Sequence, residues 1–157
     1  MTTRPVHYMD RTRLYYEAQG FDESYVWAHF EEVPFAPLVK PLSESTLALI
    51  TTASLHDRAA TEPRAVASGS IVKPPGRLFA NDLAWDKEAT HLDDLNSYFP
   101  IEHLAKLVAD GRIGRLAERF HCAPTEYSQP RASTSDAPEI LKRCRADGAD
   151  VALLVPL

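Results

Sequence analysis

The sequence is poor in cysteine, in long apolar runs and in surplus positive charge. Two cysteines, Cys122 and Cys144, stand in 157 residues. That number cannot form the disulfide framework of a small secreted domain, so both are expected as reduced thiols in the cytoplasm. The longest apolar stretch, from Val151 to Leu157, falls far short of the roughly 20 residues that span a bilayer. The N-terminal "MTTRPVHYMDRTRLYY" has no apolar core of the secretory kind. Membrane association is therefore not expected. Net charge is -5 and the basic residues are dispersed, whereas nucleic-acid binding usually needs a basic patch. No Gly-x-Gly-x-x-Gly, no Walker loop and no Gly-x-Ser-x-Gly elbow is present.

What is present fits one α/β domain over residues 1–157. Apolar residues make up 45% and charged residues 25%, enough to bury a core. His7 to Ala18 reads as a helix ended by Gly20, with Tyr8, Leu14, Tyr15 and Ala18 on one face. Phe21 to Pro41 is rich in aromatics, and three prolines within eight residues exclude helix there. Trp27, Phe30 and Phe35 are costly to leave in water, so residues 1–45 are expected as a helix plus a packed arm. Residues 46–157 are expected to hold the sheet. "TLALITTA", Thr46 to Ala53, is a strand apolar on both faces, which predicts a mainly parallel, Rossmann-like open sheet covered on both sides. Short extended pieces are expected at Ser70 to Lys73 and Leu78 to Trp85.

The helix after Pro100 carries Ile101, Leu104, Leu107 and Val108 on one face and ends near Gly111. A short helix is expected at Gly114 to Phe120, then a polar loop from Thr125 to Ser135. Asp136 is expected to cap the next helix, which ends near Gly148, with Lys142, Arg143 and Arg145 on a solvated face. "DVALLVP" is a second buried strand. A helix and strand beyond it would complete the sheet, and without them an exposed edge predicts a homodimer.

Ligands of open α/β sheets bind beyond the carboxyl ends of the strands. Thr51, Thr52, His56 and Asp57 lie at that rim, where hydroxyls can hold a ligand and His56 can move a proton. A plain turn with Thr side chains bonded to backbone is the alternative. His91, Asp93, Asp94 and Asn96 gather just before a helix. They can cap it, bind a ligand at its positive end, or hold a metal, although no His-x-x-x-His or Cys-x-x-Cys accompanies them. No metal is assigned. Cys122 adjoins His121, but neighbours in sequence point apart on strand or helix, so adjacency makes no dyad and Cys122 is a weak catalytic candidate. Cys144 is expected in the core.

Three longer strings say more together. "MDRTRLYYEAQGF…WAHFEEVPFAPLVKPLSESTLALITTAS", "DLAWDKEATHLDDLNSYFPIEHLAKLVADGRIGRLAERFHCAPTEYSQ" and "DAPEILKRCRADGADVALLVPL" resemble short members of the glycine/sarcosine/betaine/D-proline reductase selenoprotein B family. The resemblance implies a reductase that cleaves a carbon–nitrogen bond with electrons from a dithiol or thioredoxin-like donor. In that family a strand similar to "ADVALLVPL" leads into a Cys-x-x-Cys or selenocysteine-x-x-Cys pair at a helix N-terminus, where the dipole lowers a thiol pKa.

That pair is absent here. It is expected directly after Leu157, with an in-frame UGA codon read as stop; a shortened chain or one that lost the pair is the alternative. In this reading a small-molecule pocket is expected to be lined by Thr51, Thr52, His56, His91, Asp94, Asn96 and His121. The threonines and Asn96 would orient substrate, and His56 or His91 would transfer protons. No cofactor is expected within the chain itself. A non-catalytic ligand-binding, metal-binding or assembly module is the rival reading.

Overall fold

The computed structural model describes residues 7–21, 23, 26–57, 62–80, 88, 91–126 and 128–157. At its centre Thr46–Thr51 forms β1, buried along its whole length. This strand has parallel neighbours on both edges. Val151–Val155, β5, pairs with it from Leu47↔Val151 to Thr51↔Val155. The opposite edge is shared by two short strands, β3 (Arg115–Leu116) and β4 (Arg119–Cys122). Between them the register against β1 slips by two residues, from Leu47↔Leu116 to Ile50↔His121. Ala117 keeps its backbone bond to Leu47 O at 2.8 Å, while Glu118 O turns away to accept from Ile71 N–H at 2.9 Å. The outermost strand, β2 (Ala67–Ser70), runs antiparallel to β4. The sheet is thus mixed and mostly parallel, with one antiparallel pair.

Alternation along β1 divides the core into two layers. Leu47 and Leu49 pack with Phe99, Phe120 and the buried face of α2 (Ile101–Ala109), which contributes Ile101 and Leu104. Ala48 and Ile50 pack with Ala117 and Cys144, the buried residue of α4 (Ala137–Ala146). Both helices end where expected, each followed by a glycine at φ +68, Gly111 and Gly148, a conformation other residues adopt at a cost. β5 is anchored at its start: Asp150 N–H donates to Thr46 O at 2.9 Å, and Thr46 N–H donates to Asp150 Oδ2 at 2.8 Å.

Several expectations change. Gly114 to Phe120 is not helical; it forms β3, the two-residue slip and the start of β4. The loop expected to Ser135 is helical from Gln129. Ser128 caps α3 (Gln129–Arg131), and a π-helical segment, Ala132–Asp136, leads directly into α4. Pro138 has no N–H to give residue 134 and its ring crowds that carbonyl, which a π turn relieves. Asp136 accordingly has helical backbone angles and no capping bond. The edge strand lies at Ala67–Ser70, before the expected Ser70 to Lys73. Of the Leu78 to Trp85 piece, Phe79 pairs with Ser54 through bonds of 2.7 and 2.8 Å, and residues 81–85 lie outside the described set.

The described residues up to Phe35 form a compact unit of their own. Its helix α1, Tyr8–Ala18, buries none of its residues. Tyr15, Tyr16 and Phe21 meet edge to face at 5.8 and 5.6 Å. The expected packed arm differs: Trp27 is half-buried, but Phe30 and Phe35 are 70% and 87% exposed. Residues 26–30 and 32–38 take no regular structure, so they offer the rings no second layer. Among the described residues, no helix is long and apolar enough to cross a membrane.

Candidate functional site

β1 and β5 end side by side, and their carboxyl rim is closed by side-chain bonds. Thr51 is fully buried and its Oγ1 accepts from Ala53 N–H at 3.2 Å, so this hydroxyl shapes the turn. Thr52 Oγ1 accepts from Leu157 N–H at 2.8 Å, tying the end of β5 to the end of β1. Beside Thr52 opens a cleft of about 810 Å³, lined also by Ser54, His56, Arg64, Ser68 and Arg143. A second hollow of about 770 Å³ shares Thr52 but is apolar, with Ile50, Ile140, Leu141 and Leu154 on its walls.

The cleft is built on a line of polar contacts that runs from α4 through β2 into β4. Arg143 Nε donates to Glu139 Oε1 at 2.7 Å, and Arg143 Nη1 donates to Ser68 Oγ at 2.8 Å. Ser68 lies directly opposite His121 in the β2–β4 pair. Its Oγ is 2.9 Å from His121 Nδ1. His121 Nε2 sits 3.3 Å from Asp147 Oδ2, too poorly aligned for a hydrogen bond. Asp147 is gripped by Arg119 Nε and Nη2 at 3.0 and 2.7 Å.

The protons on this line can be assigned. A guanidinium only donates, so Ser68 Oγ must accept from Arg143 and use its own hydrogen toward Nδ1. The imidazole then carries its proton on Nε2, facing Asp147. Burial holds the His121 pKa below its ordinary 6.5; Asp147 opposes that shift, while Arg119 and Arg143 reinforce it. The ring is a neutral acceptor near pH 7. A second ionic cluster forms another wall: Arg64 meets Glu126 at 3.0 Å and Asp136 at 2.7 Å. Arg64 Nε is buried and has no hydrogen-bond partner among the described residues.

The cleft gathers some of the candidate residues and leaves others apart. Thr52 and His56 line it, and His121 reaches it through Ser68. His91 is 71% exposed and pairs with Asp93 at 3.3 Å. Asp94 accepts from Asn96 N–H at 3.1 Å, and Asn96 Nδ2 donates to Glu102 at 3.3 Å. None of His91, Asp94 and Asn96 lines the cleft. Cys122 leaves β4 on the face opposite His121 and lies in the α2-side core. Burial pushes its thiol up to about 12, and burial raises Cys144 also. Among the described residues no group of three or more His, Cys, Asp or Glu side chains could hold a metal ion.

Sequence reasoning missed Arg64, Ser68, Arg119, Arg143 and Asp147. Arg143 is not on a solvated face; it spans from α4 to β2. Its spacing from Glu139 was the one available signal, since residues four apart on a helix are neighbours.

With this geometry the chain is an α/β protein with a polar cleft at the carboxyl rim of a mostly parallel sheet. It is similar to the D-proline reductase subunit gamma of Acetoanaerobium sticklandii, 28% identical over 126 residues. The match takes in 76% of this chain and 52% of the relative, so the chain spans about half that protein's length. The likeness marks a distant relation to that reductase. No family model matches the chain, and no solved structure matches it.

Proposed function

We propose that the chain is a substrate-handling part of a dithiol-dependent reductase, with its small substrate bound in the cleft beside Thr52. The similarity to D-proline reductase subunit gamma carries this reading. A cyclic amine bearing a carboxylate, such as D-proline, suits a cleft walled by Arg64 and Arg143. Reductive opening of a carbon–nitrogen bond takes two electrons and two protons. The dithiol becomes a disulfide, one proton goes to carbon and one to the leaving nitrogen. His56, exposed at the rim, is the proton donor in this scheme.

The reacting thiol or selenol is neither Cys122 nor Cys144, because burial keeps both protonated and out of reach. A cysteine or selenocysteine pair directly after Leu157 fits the reading, since Thr52 holds Leu157 at the rim. The sheet in this proposal is Rossmann-like, the protein works in the cytoplasm, and it assembles as a homodimer that takes electrons from a dithiol or a thioredoxin-like protein.

The test is made on protein captured from its native source. Intact mass above 17.5 kDa, with a dithiothreitol-dependent loss of D-proline, is expected. A mass of 17.5 kDa without turnover removes the reductase reading. Binding of D-proline without turnover would instead favour a non-catalytic ligand-binding module.

A further inference from the structure

We propose that Ser68, with His121 as its base, is a nucleophile toward acyl electrophiles such as activated esters or thioesters that enter the cleft. This activity is separate from the reductase reading and needs none of its parts. The geometry points to it through three observations. Ser68 is only half-buried and lines the 810 Å³ cleft, so its Oγ can meet a small ligand. Its hydrogen is committed to His121 Nδ1 at 2.9 Å, the arrangement that lets an imidazole take the proton as the oxygen attacks. His121 is fully buried, and Asp147 lies 3.3 Å from its far nitrogen, itself fixed by Arg119. That carboxylate favours the Nε2–H tautomer and stabilises the imidazolium formed during attack.

The step balances without any added oxidant or metal. Ser68 Oγ bonds to the acyl carbon, and its proton passes to His121 Nδ1. The bond to the alcohol or thiol breaks, and that leaving group departs with the proton. Water then attacks the acyl-serine by the same route and releases the acid. Arg143 Nη1, already on Oγ at 2.8 Å, lies beside the oxyanion that forms. Ser68 sits in an edge strand next to Gly69, without the strand-to-helix elbow of sequence-recognisable serine hydrolases, which is why no motif announced it.

A fluorophosphonate probe tests this directly, because its phosphorus bonds to an activated serine with loss of fluoride. The full chain is treated with the probe, and the modified peptide is identified by mass. Labelling at Ser68 is expected, abolished in Ser68→Ala and slowed roughly 100-fold in His121→Asn, the usual scale for loss of a general base. Thermal melting confirms that each variant is folded. Should His121→Asn fail to fold, the wild-type pH profile decides. Arg143 faces His121 from α4, Asp147 from the residue just after it, Arg119 from β4 and Ser68 from β2, while β1 offers Ile50. None of these neighbours of His121 is itself an imidazole, and a His56→Ala background removes the other imidazole that lines the cleft. The labelling rate should rise to a plateau through a midpoint below 6.5. Absence of label on Ser68 in the folded protein overturns the proposal. So does an undiminished rate in folded His121→Asn, or a rate that climbs with hydroxide and never levels.

Discussion

Gly69 sits on β2 directly opposite Phe120, and the ring covers the place where a side chain would be. A Cβ at residue 69 would lie 2.4 Å from both Cε1 and Cζ of Phe120. Carbon atoms rest about 3.5–4.0 Å apart, so the ring would have to move by more than 1 Å. It has nowhere to go: Phe120 is fully buried and Phe99 stands behind it, ring centres 4.5 Å apart. Overpacking of this kind costs about 1–3 kcal/mol. Replacing glycine in a strand returns roughly 0.5–1 kcal/mol by restricting the unfolded chain. The clash therefore wins, and Gly69→Ala should lose about 1–2 kcal/mol, a fall in melting temperature of roughly 2–8 °C. Differential scanning calorimetry and urea unfolding measure it. Two companions isolate the cause. Gly76→Ala, with nothing within 4 Å of its Cβ, should change stability by less than about 0.5 kcal/mol. Gly69→Ala combined with Phe120→Leu should be more stable than the sum of the single losses by at least about 0.5 kcal/mol. An unchanged or raised melting temperature for Gly69→Ala would refute the reasoning.

Three further outcomes follow from ionisation. Neither cysteine should react with Ellman's reagent at pH 7.5 in the native protein, while both react in guanidinium; a fast native thiol would contradict the burial of Cys122 and Cys144. His121 has a folded pKa below its unfolded value near 6.5, so the unfolded state binds the proton more readily. Stability should be complete above pH 6.5 and decline as pH falls through the window beneath it; urea midpoints check this, and an NMR titration should find one imidazole with a midpoint below 6.5. The Asp150 carboxyl is held below 3.8, first by Lys40 and then by Thr46 N–H. Its contribution is present above pH 3.8 and fades as pH falls through the depressed value, so Asp150→Asn should melt below wild type at pH 6 and converge with it in strong acid.

The parts of the fold legible in the sequence are those fixed by short-range pattern. β1 is apolar on consecutive positions because both of its faces are covered, whereas β5, expected to be buried likewise, leaves Ala152 and Leu154 exposed on one face. α2 and α4 are punctuated by proline and glycine at their ends. Gly114 to Phe120 was misread because its apolar spacing, Leu116, Ala117 and Phe120, suits one helical turn as well as an interrupted strand. The cleft was hidden for a different reason. Ser68 and His121 lie 53 positions apart and are brought together by the antiparallel register of β2 on β4, while Arg143, 75 beyond Ser68, reaches it from α4. Local pattern carries no information about that register. The rim threonines could be seen from the end of β1, but not that Thr51 would turn inward and Thr52 outward.

The slip between β3 and β4 acts as a selector of chemistry. Because it is two residues long, the alternation of faces survives it, and β4 turns its imidazole toward Ser68 on the cleft side and its thiol to the α2-side core. A connection one residue shorter would reverse every side chain on β4, sending Cys122 toward Ser68 and Arg143 and His121 into the apolar layer. A deletion of one codon at Ala117–Glu118 thus separates a base-dependent cleft from a thiol-bearing one. Of the two chemistries that His121 and Cys122 offer, the length of this short insertion decides which one stands behind Ser68.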